Sequence, residues 1–282
     1  MVLNLEQFNL EDLSAKNTTK ILRHMVLHPY LAWGLSELSF EINVSKSNVF
    51  RILKVLLENN LIIEHKSGRK KLFRINSELD LVQELWKLYM IEKKYNLSPQ
   101  FKNAIDLFYN QFKSEIDVFI LFGSISQGLS TEKSDIDICI VSAENLNVDR
   151  FDFLPYRLEI HQYTWSDLEN FTDFVVLDAM MNGIVYKGDI FNLISNTRSF
   201  SKDYLIYQLE KAKEFNLKSK SYNSEAQEYF KQLAEITMGE LKSIIGKGTT
   251  TPKKLIEIED IDLEIKNLEK KLSTEGDKIW LI

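Results

Sequence analysis

The sequence holds a single cysteine, Cys139, in 282 residues. No internal disulfide is possible and metal centres built from several thiolates are excluded, so the expected compartment is the reducing cytoplasm. Long apolar runs are missing as well. Stretches such as Val118 to Phe122 and Phe174 to Leu177 fall far short of the roughly 20 residues of a membrane span, and no membrane partner is expected. The opening MVLNLEQFNLEDLS carries Glu6, Glu11 and Asp12 with no basic leader before an apolar core, which is unlike a secretion signal. What the chain does have is apolar mass. With 44% hydrophobic residues, a chain of this length can bury two cores, and it is globular rather than disordered.

Charge is distributed unevenly. Net charge is −6, yet residues 1–76 carry eleven Lys/Arg against seven Asp/Glu, a balance of +4 that leaves −10 for the remainder. A basic module on an acidic body points to nucleic acid for the first part and to small or metal-bridged anions for the second.

The basic part reads as helices followed by a hairpin. In NTTKILRHMVLHP, Ile21, Leu22, Met25 and Val26 recur at helical spacing and Pro29 ends the run. A short helix from about Ser36, a turn at residues 42–44 and a longer helix after a Ser45 cap, with Val49, Ile52, Leu53, Leu56 and Leu57 inward, make a helix-turn-helix. LIIEHKSGRKKLFRIN then alternates on both sides of Ser67-Gly68, the pattern of a β-hairpin. The combination resembles a winged helix of the kind found in small bacterial and archaeal repressors. Lys46, Ser47, Asn48 and Arg51 fall on the outer side of the second helix, where Asn and Arg suit base edges and Lys suits phosphate. His65, Lys66, Arg69, Lys70 and Lys71 cluster at the hairpin tip, placed for DNA backbone or minor groove. Duplex DNA is the expected partner, with protein docking as the rival. Residues 77–98 read as a helical connector, and a helix beginning at Pro99 opens the next domain.

The stretch LFGSISQGLSTEKSDIDICIV, Leu121 to Val141, carries the chemistry. DVFILF is a β-branched and aromatic run that reads as a buried strand ending at Gly123. A Gly-Ser turn there aims backbone N–H groups and the Ser124 hydroxyl at an anion, a cradle for phosphate. SDIDICIV alternates, so Ile136, Ile138 and Ile140 face one way and Asp135, Asp137 and Cys139 the other. Two carboxylates projected together repel unless a cation sits between them, and Mg²⁺ is the natural occupant. Phosphate cradle and carboxylate pair together are what nucleotidyl transfer needs.

Gly123, Ser124, Gly128, Ser134, Asp135 and Asp137, in that spacing, resemble the signature of the DNA polymerase β nucleotidyltransferase superfamily, in particular its small minimal prokaryotic members. The chain departs from them at Ser126 and Gln127, where minimal members usually have Ala-Arg, so a cation is lost from the triphosphate side. The resemblance implies a nucleotide site at Gly123, Ser124, Gly128 and Ser134, and two Mg²⁺ ions held by Asp135, Asp137 and a third carboxylate on a later strand. In YRLEIHQYT, Arg157, Glu159 and His161 share a face. Glu159 is the choice for the third ligand and for general base or orienter of the attacking hydroxyl, with His161 as rival. The resemblance covers about Pro99 to Ser195.

From Ser201 the pattern is helical, with breaks at Asn223 and GKGTTTP. Such an appendage binds the acceptor or a second subunit in the superfamily, or it merely caps the catalytic domain. It shows no arginine-histidine motif of the HEPN ribonuclease partners. The expected architecture is α+β: a winged helix-turn-helix domain at 1–76, the connector at 77–98, a mixed-sheet nucleotidyltransferase domain at 99–200 and a C-terminal helical bundle at 201–282. The expected activity is transfer of NMP, with AMP from ATP as the leading donor, to a hydroxyl of a protein such as a toxin or of a small molecule. A homodimer is compatible with this. The alternative is a DNA-binding regulator or antitoxin that uses the transferase fold to sense nucleotide.

Overall fold

The computed structural model of the protein describes residues 15–67, 70–128, 130, 134–144, 146, 156–170, 173–197, 199–222, 224–245, 260–276 and 278–280. By their contacts they form two units, one made of residues up to Leu85 together with those from Ser195 onward, the other of Trp86–Ile194. The mixture of helices and sheets is α+β throughout. Among the described residues no helix is long and apolar enough to cross a membrane.

The chain begins with α1 (Lys16–Leu27), β1 (Trp33–Gly34), α2 (Leu35–Glu41), α3 (Lys46–Glu58), β2 (Ile62–Ser67) and β3 (Lys70–Ile75). The apolar stripes of α1 and α3 explain why these segments are helices. Ile21, Leu22, Met25 and Val26 on one, and Val49, Ile52, Leu53 and Leu56 on the other, are buried. The turn between α2 and α3 is made by Asn43 at φ 51°, a left-handed backbone that asparagine tolerates. Ser45 precedes α3, but its hydroxyl faces Ser47 Oγ at 3.3 Å and makes no capping bond. The expected side-chain cap is therefore replaced by the Ser45 carbonyl, which accepts from the Asn48 and Val49 N–H groups at 3.0 Å. β2 and β3 pair antiparallel from Ile62↔Ile75 to Ser67↔Lys70, and β1 adds a third strand beside β3.

After α4 (Asp80–Tyr95) the second unit runs α5 (Pro99–Phe112), β4 (Ile116–Phe122), α6 (Gly123–Ser126), β5 (Ile136–Ser142), β6 (Leu158–Tyr163), α7 (Trp165–Asn170), α8 (Phe174–Asn182), β7 (Ile184–Lys187) and α9 (Phe191–Ser195). Its sheet has the order β6-β5-β4-β7, with β5 and β6 parallel and the other pairs antiparallel. Phe119, Leu121, Ile136, Ile138, Ile140 and Ile184 project from one face onto Phe101, Ile105, Phe108 and Phe112 of α5. Strand alternation therefore commits the opposite face to Asp137 and its neighbours.

The chain then returns to the first unit with β8 (Ser199–Ser201), α10 (Lys202–Ser221), α11 (Ser224–Ile245), α12 (Ile261–Thr274) and β9 (Lys278–Trp280). β9 pairs antiparallel with β8. Half-buried Lys242 meets Glu264 at 2.6 Å, tying α11 to α12, and Asp262 accepts from Asn216 at 2.8 Å, tying α12 to α10. The segment expected as a separate C-terminal bundle thus shares a unit with the N-terminal elements. The join is aromatic: buried Tyr30 meets buried Phe200 edge-on, ring centres 6.2 Å apart, and Phe200 stacks on Tyr204.

Within this unit His24 lies against Trp33, ring centres 4.3 Å apart, and its Nε2 is sealed from water with no hydrogen-bond partner among the described residues. Burial holds its imidazole down from 6.5 to about 4. The unfolded chain takes up this proton below pH 6.5 whereas the folded chain resists until about 4, so the stability it confers is complete above the first value and lost on descent toward the second. Between pH 7 and pH 5 the unit is expected to lose on the order of 1 kcal/mol that a His24→Phe variant does not lose. Urea midpoints of both proteins at the two pH values measure the difference, and equal shifts in the two would remove the assignment. Subtraction cancels the carboxyls that both proteins share, among them Glu41, which burial and then Glu37 shift upward.

Candidate active site and nucleic-acid surface

The site face of the second unit is built as transverse rows. Antiparallel pairing of β4 with β5 and parallel pairing of β5 with β6 set Phe122, Asp137 and Glu159 side by side, then Ile120, Cys139 and His161, then Val118, Val141 and Tyr163. Neighbouring strands lie about 4.8 Å apart, so Asp137 and Glu159 are adjacent on one face. Asp135, half-buried, leads into β5 two residues earlier, and the Ile136 N–H already donates to the Arg157 carbonyl at 2.9 Å.

Gly123 closes the end of β4 at φ 70°. A Cβ placed on it would lie 1.9 Å from Asp137 Oδ2, so the carboxylate rests directly on the glycine backbone. Ser124 follows, half-buried, and Gly128 at φ 72° ends the turn, exposed, with none of the described residues within 4 Å of where its Cβ would stand. Ser134 is half-buried at the far end of the connection. The loop is braced from behind. Ser126 Oγ donates to the carbonyls of Gly123 at 2.9 Å and Asn182 at 3.4 Å. A Cβ on Gly183 would meet the Ala179 carbonyl at 2.3 Å and Ile120 Cγ2 at 2.4 Å, which is why α8 ends on glycine against the sheet. Ser126, a departure from the family pattern in the sequence, is thus an anchor for the loop.

Beyond the first row the face is closed. Cys139 is buried, and burial with Asp173 nearby pushes its thiol up to about 12, so it is inert. Tyr163 donates to Asp173 Oδ2 at 2.8 Å while Asp173 Oδ1 accepts the Val175 N–H at 3.0 Å and caps α8. Burial, then the Asp173 bond, raises the phenol. His161 packs edge-on against Phe122, ring centres 5.6 Å apart, and its Nε2 lies 3.6 Å from Glu159 Oε1. Reactive polar groups therefore gather at the row of Phe122, Asp137 and Glu159.

Asp135, Asp137 and Glu159 offer only carboxylate oxygens, the donor chemistry of a hard divalent cation. Among the described residues, however, no three His, Cys, Asp or Glu side chains converge as metal ligands. Glu159, 46% exposed, leans to His161 instead. The donor set fits the ion by chemistry and by sharing one face.

In the first unit, Lys46, Ser47 and Arg51 are exposed on α3 and Asn48 is half-buried, its Oδ1 accepting from Arg51 Nη2 at 3.1 Å. Lys66, Lys70 and Lys71 are exposed on β2 and β3, with Lys66 opposite Lys71. Lys71 is paired with Glu64 at 2.9 Å, which mutes one of the expected cations. His65, half-buried, lies opposite Leu72 rather than at the tip. Arg69 lies outside the described residues. Sequence reasoning passed over Lys54 and Phe50 of α3, both exposed. The signal was present: Phe50 is an apolar residue outside the stripe of Val49, Ile52, Leu53 and Leu56.

Residues 102–191 match the family described as Polymerase beta, Nucleotidyltransferase. The matched stretch runs from α5 to the start of α9 and contains all four strands of the site sheet, so this part of the chain is similar to a nucleotidyltransferase domain of the polymerase β superfamily. No curated protein and no solved structure matches the chain.

The glycine contact gives a direct test. Gly123→Ala and Gly128→Ala both pay roughly 1–2 kcal/mol for a left-handed alanine, but only the first drives a methyl into Asp137 Oδ2. Chemical denaturation of the two variants is expected to show Gly123→Ala the less stable by at least about 1 kcal/mol. Equal losses would mean that Asp137 moves aside without cost.

Proposed function

We propose that the chain is a Mg²⁺-dependent nucleotidyltransferase that moves NMP, with AMP from ATP as the leading donor, to a hydroxyl of a protein or small molecule, and that it couples this to DNA binding. The observation that carries the reading is the contact of Gly123 with Asp137 and the pairing of Asp137 with Glu159, all inside the stretch that matches the nucleotidyltransferase family. In this reading the Gly123-Ser124 turn and Gly128 hold the triphosphate through backbone N–H groups and the Ser124 hydroxyl, with Ser134 beside them. The acceptor oxygen bonds to the α-phosphorus, the bond from that phosphorus to the bridging oxygen breaks, and pyrophosphate leaves. The hydroxyl proton passes to the Glu159 carboxylate, which is solvent-accessible and adjacent to His161. Asp135, Asp137 and Glu159 would hold one or two Mg²⁺ ions, which neutralise phosphate charge when bound.

Three helices followed by a hairpin, with β1 as third strand, support the winged-helix reading of the first unit. Its exposed cations on α3 and the hairpin suit duplex DNA. A second reading, a DNA-binding regulator or antitoxin that senses nucleotide without turnover, is favoured by one observation: Glu159, the carboxylate that would activate the acceptor, leans to His161 instead.

Incubation of the protein with each labelled NTP, Mg²⁺ and cell lysate is expected to label an acceptor, and chelation is expected to stop it. Asp135→Asn and Asp137→Asn each remove charge at constant volume and should lower transfer at least about 100-fold, roughly 3 kcal/mol of transition-state stabilisation. Activity within a few-fold of the parent in either variant would remove the carboxylate mechanism. Nucleotide bound but never transferred would select the sensor.

For the first unit, Lys70→Ala in the full chain should weaken all duplexes alike and lower the slope of log affinity against log salt by about 1, while Arg51→Ala relaxes sequence preference at a cost of about 1–3 kcal/mol. Absence of duplex binding at low salt would make this a protein-docking unit.

A further inference from the structure

Phe50 is 58% exposed at the centre of the outer face of α3. Lys46 and Lys54 lie one turn to either side of it, Ser47 three residues before and Arg51 next to it, all exposed. Residues three and four apart on a helix are surface neighbours, so a bare aromatic ring sits among two lysines and a hydroxyl, with Arg51 exposed on the flank of the same side. Its burial would be worth about 2–3 kcal/mol, a gain that the fold forgoes although the inward stripe of the same helix is fully apolar. Among the described residues before α4, the other large apolar side chain counted as exposed is Ile63 on β2, at 36%. Two such side chains among lysines and an arginine do not make the contiguous apolar patch of a few hundred Å² that marks a protein-docking face.

In the major groove the base edges present hydrogen-bonding groups and a single apolar feature, the thymine C5-methyl, for which phenylalanine is a recognised partner. We propose that Phe50 is a specificity-determining residue that packs on a thymine methyl in the major groove, with Lys46 and Lys54 on the flanking phosphates and Arg51 on an adjacent base edge. The charge of the face is complementary to duplex DNA, and the ring supplies discrimination that the two lysines lack. This inference rests on the DNA-binding reading of the first unit.

The test uses the full chain. A duplex is enriched from a random library, and each dT in it is replaced in turn by dU, which removes the methyl and leaves base pairing intact. Affinities of the parent and of Phe50→Ala are measured for every duplex. For the parent, at least one replacement is expected to weaken binding about fourfold, the loss of one buried methyl. For Phe50→Ala the same replacement should change affinity less than about 1.5-fold, with urea stability unaltered because the side chain is exposed. The inference is overturned if the parent tolerates every dU. It is overturned equally if Phe50→Ala keeps the parent's dT-to-dU ratio, or binds every duplex as the parent does, in which case the ring serves a protein partner. Each of these outcomes leaves DNA binding intact, whereas failure of the parent to bind any duplex at low salt overturns the DNA-binding reading together with this inference.

Discussion

The contact on which the site depends is the one between a missing side chain and a carboxylate. Asp137 Oδ2 occupies the space where any Cβ at residue 123 would stand. This single approach joins the end of β4, the turn after it and the charged row of β5 into one piece. It explains why the turn begins on glycine, and Ser126 on the carbonyls of Gly123 and Asn182 anchors the loop from behind. The close fit of Gly183 against Ile120 serves the same end from the other side, holding α8 to the sheet that carries the turn.

From that contact the remainder of the face follows by register. Once Phe122 is opposite Asp137, and Asp137 beside Glu159, the next rows are determined by the two-residue repeat of strands. The inner rows are closed by Cys139, by the Tyr163–Asp173 bond and by the apolar residues of β4. Charge is therefore confined to the mouth of the sheet, where solvent reaches the carboxylates instead of their charge being buried in the interior. A mixed sheet suits this, because parallel pairing of β5 with β6 brings acidic residues from two strands into line at the same end.

Much of this was legible in the residues. Alternation in SDIDICIV placed Asp137 and Cys139 together, and the same rule placed Glu159 and His161 together on their strand; hydrogen-bonding register then brought the two pairs abreast. The stripes of α1 and α3 were equally plain, because burial at every third and fourth position leaves a strong periodic trace. Other features leave none. β1 is two residues long and has no alternation to read. The lean of Glu159 toward His161 depends on side-chain torsions, and the bracing role of Ser126 depends on a carbonyl 56 positions away. The association of the last elements with the first unit rests on rings at Tyr30 and Phe200, a pairing that no local pattern encodes.

That association has a consequence for how the chain is made. The N-terminal helices leave the ribosome first, but the strand β9 and the helices that complete their unit lie some two hundred residues later. At synthesis rates of about 5–20 residues per second this is a delay of roughly 10–40 s, during which the intervening unit, contiguous in sequence, has everything it needs to fold. The intervening unit is thus complete in the nascent chain before the first unit, whose contact between Tyr30 and Phe200 must wait for the later segment. A chain halted before residue 199 would lack the Phe200 ring against which Tyr30 packs, so the burial of Tyr30 depends on synthesis having passed beyond the intervening unit.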